Sequence, residues 1–257
     1  MLQFRSSGFP LLVVAAAAPL AFASPASGAL IEDFEDGTAD GFAVADANGD
    51  SSTRDAVFEV VTEGSNNVYS QTNSDLANRN TLTGDGKPGG YSIAPGTFSG
   101  LDATLRVRVD DANGFGDAAL LFGFQDNDNN YLVVFNENAA NNQVFILENN
   151  VRTPIGPSFD GNGAAAGSGA VAGTFYDVML LHDPTLGNVS LSIGGVEVYN
   201  QTDPRFTTFA SGGFAIGAIN DAASFDDLGV DSIPEPATAA AWGVLCIAGL
   251  RRRSRSV

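Results

Sequence analysis

The chain has 257 residues with 12 Lys and Arg against 30 Asp and Glu, and five of its arginines (Arg5, Arg251, Arg252, Arg253 and Arg255) lie in its terminal segments. Glu235 is the one acid in those segments, so residues 30–233 hold 7 basic and 29 acidic side chains, and a net charge of −22 repels phosphate backbones and excludes nucleic acid as a partner. The single cysteine, Cys246, lies close to the C-terminus, so the body of the chain has no thiol for catalysis and no disulfide.

Arg5 precedes an apolar run from Phe9 to Phe22 that includes Leu11, Leu12, Val13 and Val14, and small residues follow it. A basic start, an apolar centre and small residues after it predict a secretory signal peptide over residues 1–29, cleaved after Ala23 or Ala29. The run has no polar face, so it does not read as a surface helix of a domain. The mature chain is expected outside the cytoplasm.

Between the ends, 30 Gly, 22 Asp and 20 Asn make up more than a quarter of the chain, and these residues favour tight turns. The segments between turns have period two. A strand is predicted at 56–61. In the next, Leu105, Val107 and Val109 alternate with Thr104, Arg106 and Arg108. Further strands are predicted at 117–125, 130–136, 143–148 and 174–182. Val189, Leu191 and Ile193 then alternate with Asn188, Ser190 and Ser192, and Gly194-Gly195 separates them from Val196–Tyr199 as a two-residue hairpin turn. Strands at 212–218 and 224–230 complete the set of about a dozen, with no sustained helical period. Such a set forms either a barrel or two antiparallel sheets packed face to face. Runs such as Ala118–Phe124 and Val178–Leu181 are apolar on both faces and favour the sandwich. The expectation is therefore one all-β domain, residues 30–232, with the Gly/Ala-rich stretch Gly161–Gly173 as a flexible loop.

The chain ends in Pro234-Glu235-Pro236, an apolar stretch Ala237–Leu250 and Arg251-Arg252-Arg253. As a helix this stretch spans about 21 Å, short of the roughly 30 Å hydrocarbon core, and the arginines favour the cytoplasmic side. These three parts in order, on a chain with an export signal, resemble the PEP-CTERM sorting tail of Gram-negative surface proteins. The resemblance covers residues 233–257. It implies a transient inner-membrane helix, cleavage by an exosortase, and release to the cell surface or exopolysaccharide matrix.

The order of strands from Leu101 to Asp231 also resembles the concanavalin A-like lectin/glucanase superfamily in its laminin-G-like branch. The charged strand Leu105–Val109, the apolar strand Ala118–Phe124, the Asp-rich turn before Tyr131–Phe135, and Phe225-Asp226-Asp227-Leu228 carry the likeness. A jelly-roll sandwich is what it implies. It also implies a structural calcium between the first and last strands, where Ile31-Glu32-Asp33-Phe34 and Phe225-Asp226-Asp227-Leu228 supply Glu32 or Asp33 and Asp226 or Asp227.

Catalytic patterns are missing. The glucanases of that superfamily carry a Glu-x-Asp-x-(x)-Glu strand; Glu32, Asp33, Glu35 and Asp36 come nearest, but position 34 is Phe. A nucleophile elbow, Gly-x-Ser-x-Gly, does not occur. The only histidine, His182, reads as a strand-end residue. Asp126–Asn130 reads as a hairpin turn, because Tyr131 stands where a calcium loop of the EF-hand type needs Gly. The only tryptophan, Trp242, belongs to the tail, and the five tyrosines fit cross-strand packing. The expected function is a non-catalytic surface or matrix protein binding polysaccharide or another surface protein. A carbohydrate-active enzyme and a purely structural acidic protein are the alternatives.

Overall fold

The computed structural model describes residues 30–46, 56–72, 90–110, 117–163, 168–219 and 222–233. The predicted signal peptide and the whole tail, including Pro234, Glu235, Pro236, Arg251, Arg252 and Arg253, lie outside them. No helix among the described residues is long and apolar enough to cross a membrane.

The chain forms a sandwich of two antiparallel sheets. Sheet A has the order β14 (Val196–Thr202), β13 (Asn188–Ile193), β12 (Tyr176–Asp183), β7 (Leu101–Val109), β16 (Ala223–Asp231), β4 (Asn66–Gln71) and β3 (Phe58–Glu63), with β1 (Leu30–Glu32) also paired to β16. Sheet B has the order β11 (Val151–Ile155), β10 (Gln143–Glu148), β9 (Asn129–Asn136), β8 (Asp117–Asp126), β15 (Ser211–Ala218), β5 (Gly90–Ile93) and β2 (Ala43–Asp46), with β6 (Phe98–Ser99) on β15. Two short 3-10 turns, Ala139–Asn141 and Pro204–Thr207, are the only helical elements among the described residues.

Side-chain alternation explains the layering. On β7, Leu101, Ala103, Leu105, Val107 and Val109 point into the core while Thr104, Arg106 and Arg108 point outward. Leu120, Phe122, Tyr131, Val133 and Phe214 meet them from sheet B. The opposite face of sheet B is apolar too, with Ala119, Leu121, Leu132 and Val134 in a second cluster, so the two-sided reading of Ala118–Phe124 holds. It fails for Val178–Leu181. Val178 and Leu180 are buried but Met179 is exposed, because sheet A presents its outward face to solvent at that strand.

The Gly194-Gly195 turn forms as expected, both residues having positive φ, 58° and 79°. The described parts of the Gly161–Gly173 stretch depart from the expectation of a free loop. Gly161 donates to Ser168 at 2.8 Å and Ala170 to Asn136 at 2.9 Å, so the two flanks are tied to each other and the second to the end of β9. Gly169 is needed there, since a Cβ would lie 1.7 Å from the Glu137 carbonyl oxygen.

His182 is next to last in β12, at the strand end where the sequence puts it, and is buried in the core. It is 2% exposed, its Nε2 lies 2.8 Å from the Phe206 carbonyl, and its ring meets Phe122 and Tyr131 edge-on. Burial pushes its pKa below the usual histidine value. The unfolded chain then takes up the proton first, so this contribution to stability is present above about pH 6.5 and is lost as pH falls through the depressed value. Urea melts between pH 7.5 and 5.5 are expected to show this loss in the parent chain and a smaller one in His182→Gln.

Candidate functional site

The outward face of sheet A carries a pocket of about 480 Å³. Strand pairing builds it: Asp177 of β12 lies opposite Arg106 of β7, and Arg106 opposite Asp226 of β16. One register step away, Met179 lies opposite Thr104 and Ser192. Gly195 at the hairpin turn and Asp227 complete the rim.

Arg106 stands at the centre. Its Nη1 donates to Asp226 at 2.8 Å, with Asp227 at 3.8 Å and Asp177 4.0 Å from its Nε. Its guanidinium also covers the Phe175 ring, 4.7 Å from the centroid, and Arg108 covers the same ring at 4.6 Å. Arg108 is itself held by both oxygens of Glu63 and by Asp110. Asp226 is 1% exposed, and its oxygens accept from Arg106, from Asn66 at 3.0 Å and from the Asp227 backbone N–H at 2.9 Å. The side chains of Asp177 and Asp227 are 84% and 57% exposed, so they are the charges that face a ligand.

Asp227 lies in a bulge of β16 with φ 49°, which turns it outward between buried Asp226 and Leu228. Partial burial and the neighbouring Asp226 carboxylate raise its pKa above the usual aspartate range, and Arg106 opposes them.

The candidate calcium ligands divide into two sets. β1 does pair with β16, so the sequence places the two acidic segments side by side correctly. Oxygens of three of them, however, are already engaged. Glu32 accepts from the Phe34 and Asp40 N–H groups, at 2.9 and 3.3 Å, and Asp33 accepts from Glu35 N–H at 3.1 Å. Asp226 has Arg106 as its cation. Among the described residues no group of three or more His, Cys, Asp and Glu could hold a metal ion. Glu32, Asp33 and Asp226 are thus held by partners within the chain, while the Asp227 carboxylate is 57% exposed.

Asp126 closes the β8–β9 hairpin, accepting from Asp128 N–H at 2.9 Å, as the sequence implies. Tyr69, Tyr91, Tyr131 and Tyr199 are buried and Tyr176 is half-buried with its hydroxyl on Val171 N–H, so none is a flat platform open to a sugar. Sequence reasoning missed Arg106, Asp177, Met179 and Ser192 as a group. The available signal was Arg106 itself, an arginine at an outward position of a strand in a domain with so few basic residues.

No protein-family model matches the chain, and no curated protein matches it. Among solved structures, the carbohydrate-binding module CBM66 from Bacillus subtilis is similar at a TM-score of 0.53 and 15% identity, over 74% of this chain and 95% of that one. A Bacillus subtilis protein with a galectin-like fold is similar at a TM-score of 0.48 and 13% identity, over 75% and 89% of the two chains. The metal-free carbohydrate recognition domain of Emp46p follows at 0.48 and 9%, over 81% and 99%. At such identities the first of these speaks for the fold, which is the two-sheet sandwich described above.

Proposed function

We propose that this is an exported, non-catalytic surface or matrix protein that binds polysaccharide at the Arg106 pocket. The observation that carries the reading is the pocket itself. It falls in the size range of small-ligand sites, and it sets hydroxyls (Thr104, Ser192) and carboxylates (Asp177, Asp227) around a guanidinium fixed by Asp226. Hydroxyl-rich rings offer donors and acceptors to such a rim, and Met179 gives an apolar patch for ring carbons. The carbohydrate-binding name of the solved module with the same fold supports this direction. Export, a transient inner-membrane helix and exosortase processing rest on residues 1–29 and 233–257, read from the sequence.

The test is retention on immobilised matrix polysaccharide. Ser192→Trp fills the pocket from an outward strand position and is expected to reduce retention more than tenfold with an unchanged melting temperature. Equal retention of both forms would remove the pocket from the reading. Intact mass of the matrix-bound form is expected to lack the Arg251-Arg252-Arg253 terminus.

One observation favours a second reading, a carbohydrate-active enzyme. Asp227, with its raised proton affinity, and Asp177 flank Arg106 in one pocket, as an acid and a carboxylate do in glycoside hydrolysis. Reducing-sugar release that disappears in Asp227→Asn would establish it.

A further inference from the structure

We propose that the Arg106 pocket selects sugars bearing a free, protonated amine and turns away uronates. This rests on the reading that the pocket binds polysaccharide, and it assigns the ligand class.

The charges decide the selection. An arginine that captures a carboxylate ligand offers a free fork of N–H groups. Here the fork is shared before any ligand arrives: Nη1 of Arg106 donates to Asp226 at 2.8 Å, Asp227 and Asp177 stand 3.8 and 4.0 Å from its Nη1 and Nε, and the guanidinium covers Phe175. The groups most open to solvent are Asp177 on one side and Asp227 on the other, 84% and 57% exposed against 35% for Arg106. Among the described residues, the other arginine on this part of the face, Arg108, is bonded to Glu63 and Asp110. A uronate entering the pocket would therefore bring its carboxylate toward a cluster in which Asp177, Asp226 and Asp227 already share one guanidinium. A protonated hexosamine brings an ammonium to the Asp177 and Asp227 carboxylates, while its ring hydroxyls remain available to Thr104 and Ser192. The domain's net charge adds long-range attraction of the same sign, and salt screens it more than it screens the short-range contact.

Three hexasaccharides of one length test this by calorimetry: a glucosamine oligomer from chitosan, cellohexaose and oligoguluronate. At low ionic strength the parent chain is expected to bind the amine form about tenfold more tightly than the neutral one, and the uronate not measurably. Asp177→Asn combined with Asp227→Asn is expected to bring the amine and neutral forms within about twofold. Glu59→Gln combined with Glu148→Gln removes the same charge from exposed positions outside the pocket and is expected to keep the preference. Equal binding of amine and neutral forms, or a preference lost equally in both pairs of variants, overturns the selection while leaving the pocket as a polysaccharide site. Binding of none of the three overturns the polysaccharide reading and the selection with it.

Discussion

Phe34→Ala is expected to destabilise the fold by about 4 kcal/mol, read as a fall of roughly 10 °C in melting temperature. Phe34 is fully buried although it sits within the acidic stretch Glu32–Asp36. Its ring stacks on Tyr69 at 5.0 Å and tilts against Phe42 at 5.9 Å, and Phe58 closes on Tyr69 at 5.3 Å. The flanking acids hold it in place. The Glu32 carboxylate accepts from the Phe34 N–H, while Glu35 takes Asn67 N–H at 3.1 Å and ties the loop to the β3–β4 turn. Removing the ring leaves a cavity between the first strand's loop and sheet A that the surrounding strands cannot close.

The backbone at Phe34 adds a second expectation. Its φ is 60°, a left-handed conformation that costs a side chain about 1–2 kcal/mol and glycine almost nothing. Glycine loses more entropy on folding than alanine by about 0.5–1 kcal/mol, so the two effects nearly cancel or slightly favour glycine. Phe34→Gly is thus expected to be at least as stable as Phe34→Ala. A glycine variant clearly less stable than the alanine variant in urea melts would show that the backbone here is not held left-handed.

The sandwich was legible wherever alternation ran long enough. β7 and β13 have inward aliphatic residues at every second position, and the Gly194-Gly195 turn marks its own geometry. β1, β5 and β6 are too short to show a period. β4, with the sequence NNVYSQ, is hidden for another reason: its buried polar residues are satisfied inside the fold, Ser70 by Ser224 and Gln71 by Ala218 N–H. Pro154 masks β11, an edge strand, which is where a sheet tolerates proline.

The site was less legible because register creates it. Arg106, Asp177 and Asp227 are separated by dozens of residues, and only the antiparallel pairing of β12, β7 and β16 sets them around one point. The acidic residues near the two ends were visible as clusters of charge, and a cation beside Asp226 was the correct electrostatic requirement. An arginine from the neighbouring strand meets it. Charge clustering in a sequence announces the need for a counter-charge without saying whether an ion or a side chain supplies it.

Arg106→Ala tests that substitution of side chain for ion. Asp226 is 1% exposed beside Arg106, and without that cation it keeps Asn66 and one backbone N–H as partners. Breaking a fully buried pair costs about 3–5 kcal/mol; the Arg106 side chain is 35% exposed, so water compensates in part and the expected loss at pH 7.5 is about 2–3 kcal/mol. The pH dependence gives the sign. In the variant the orphaned carboxylate binds a proton more readily when folded than unfolded, so its penalty is full at neutral pH and shrinks as pH falls toward the unfolded aspartate value near 4. Stability curves of parent and variant are therefore expected to converge in acid, and Asp226→Asn added to Arg106→Ala is expected to recover more than half of the loss at pH 7.5. A deficit that stays constant from pH 7.5 to 4.5 would mean that Arg106 acts through its packing on Phe175 instead of through its charge.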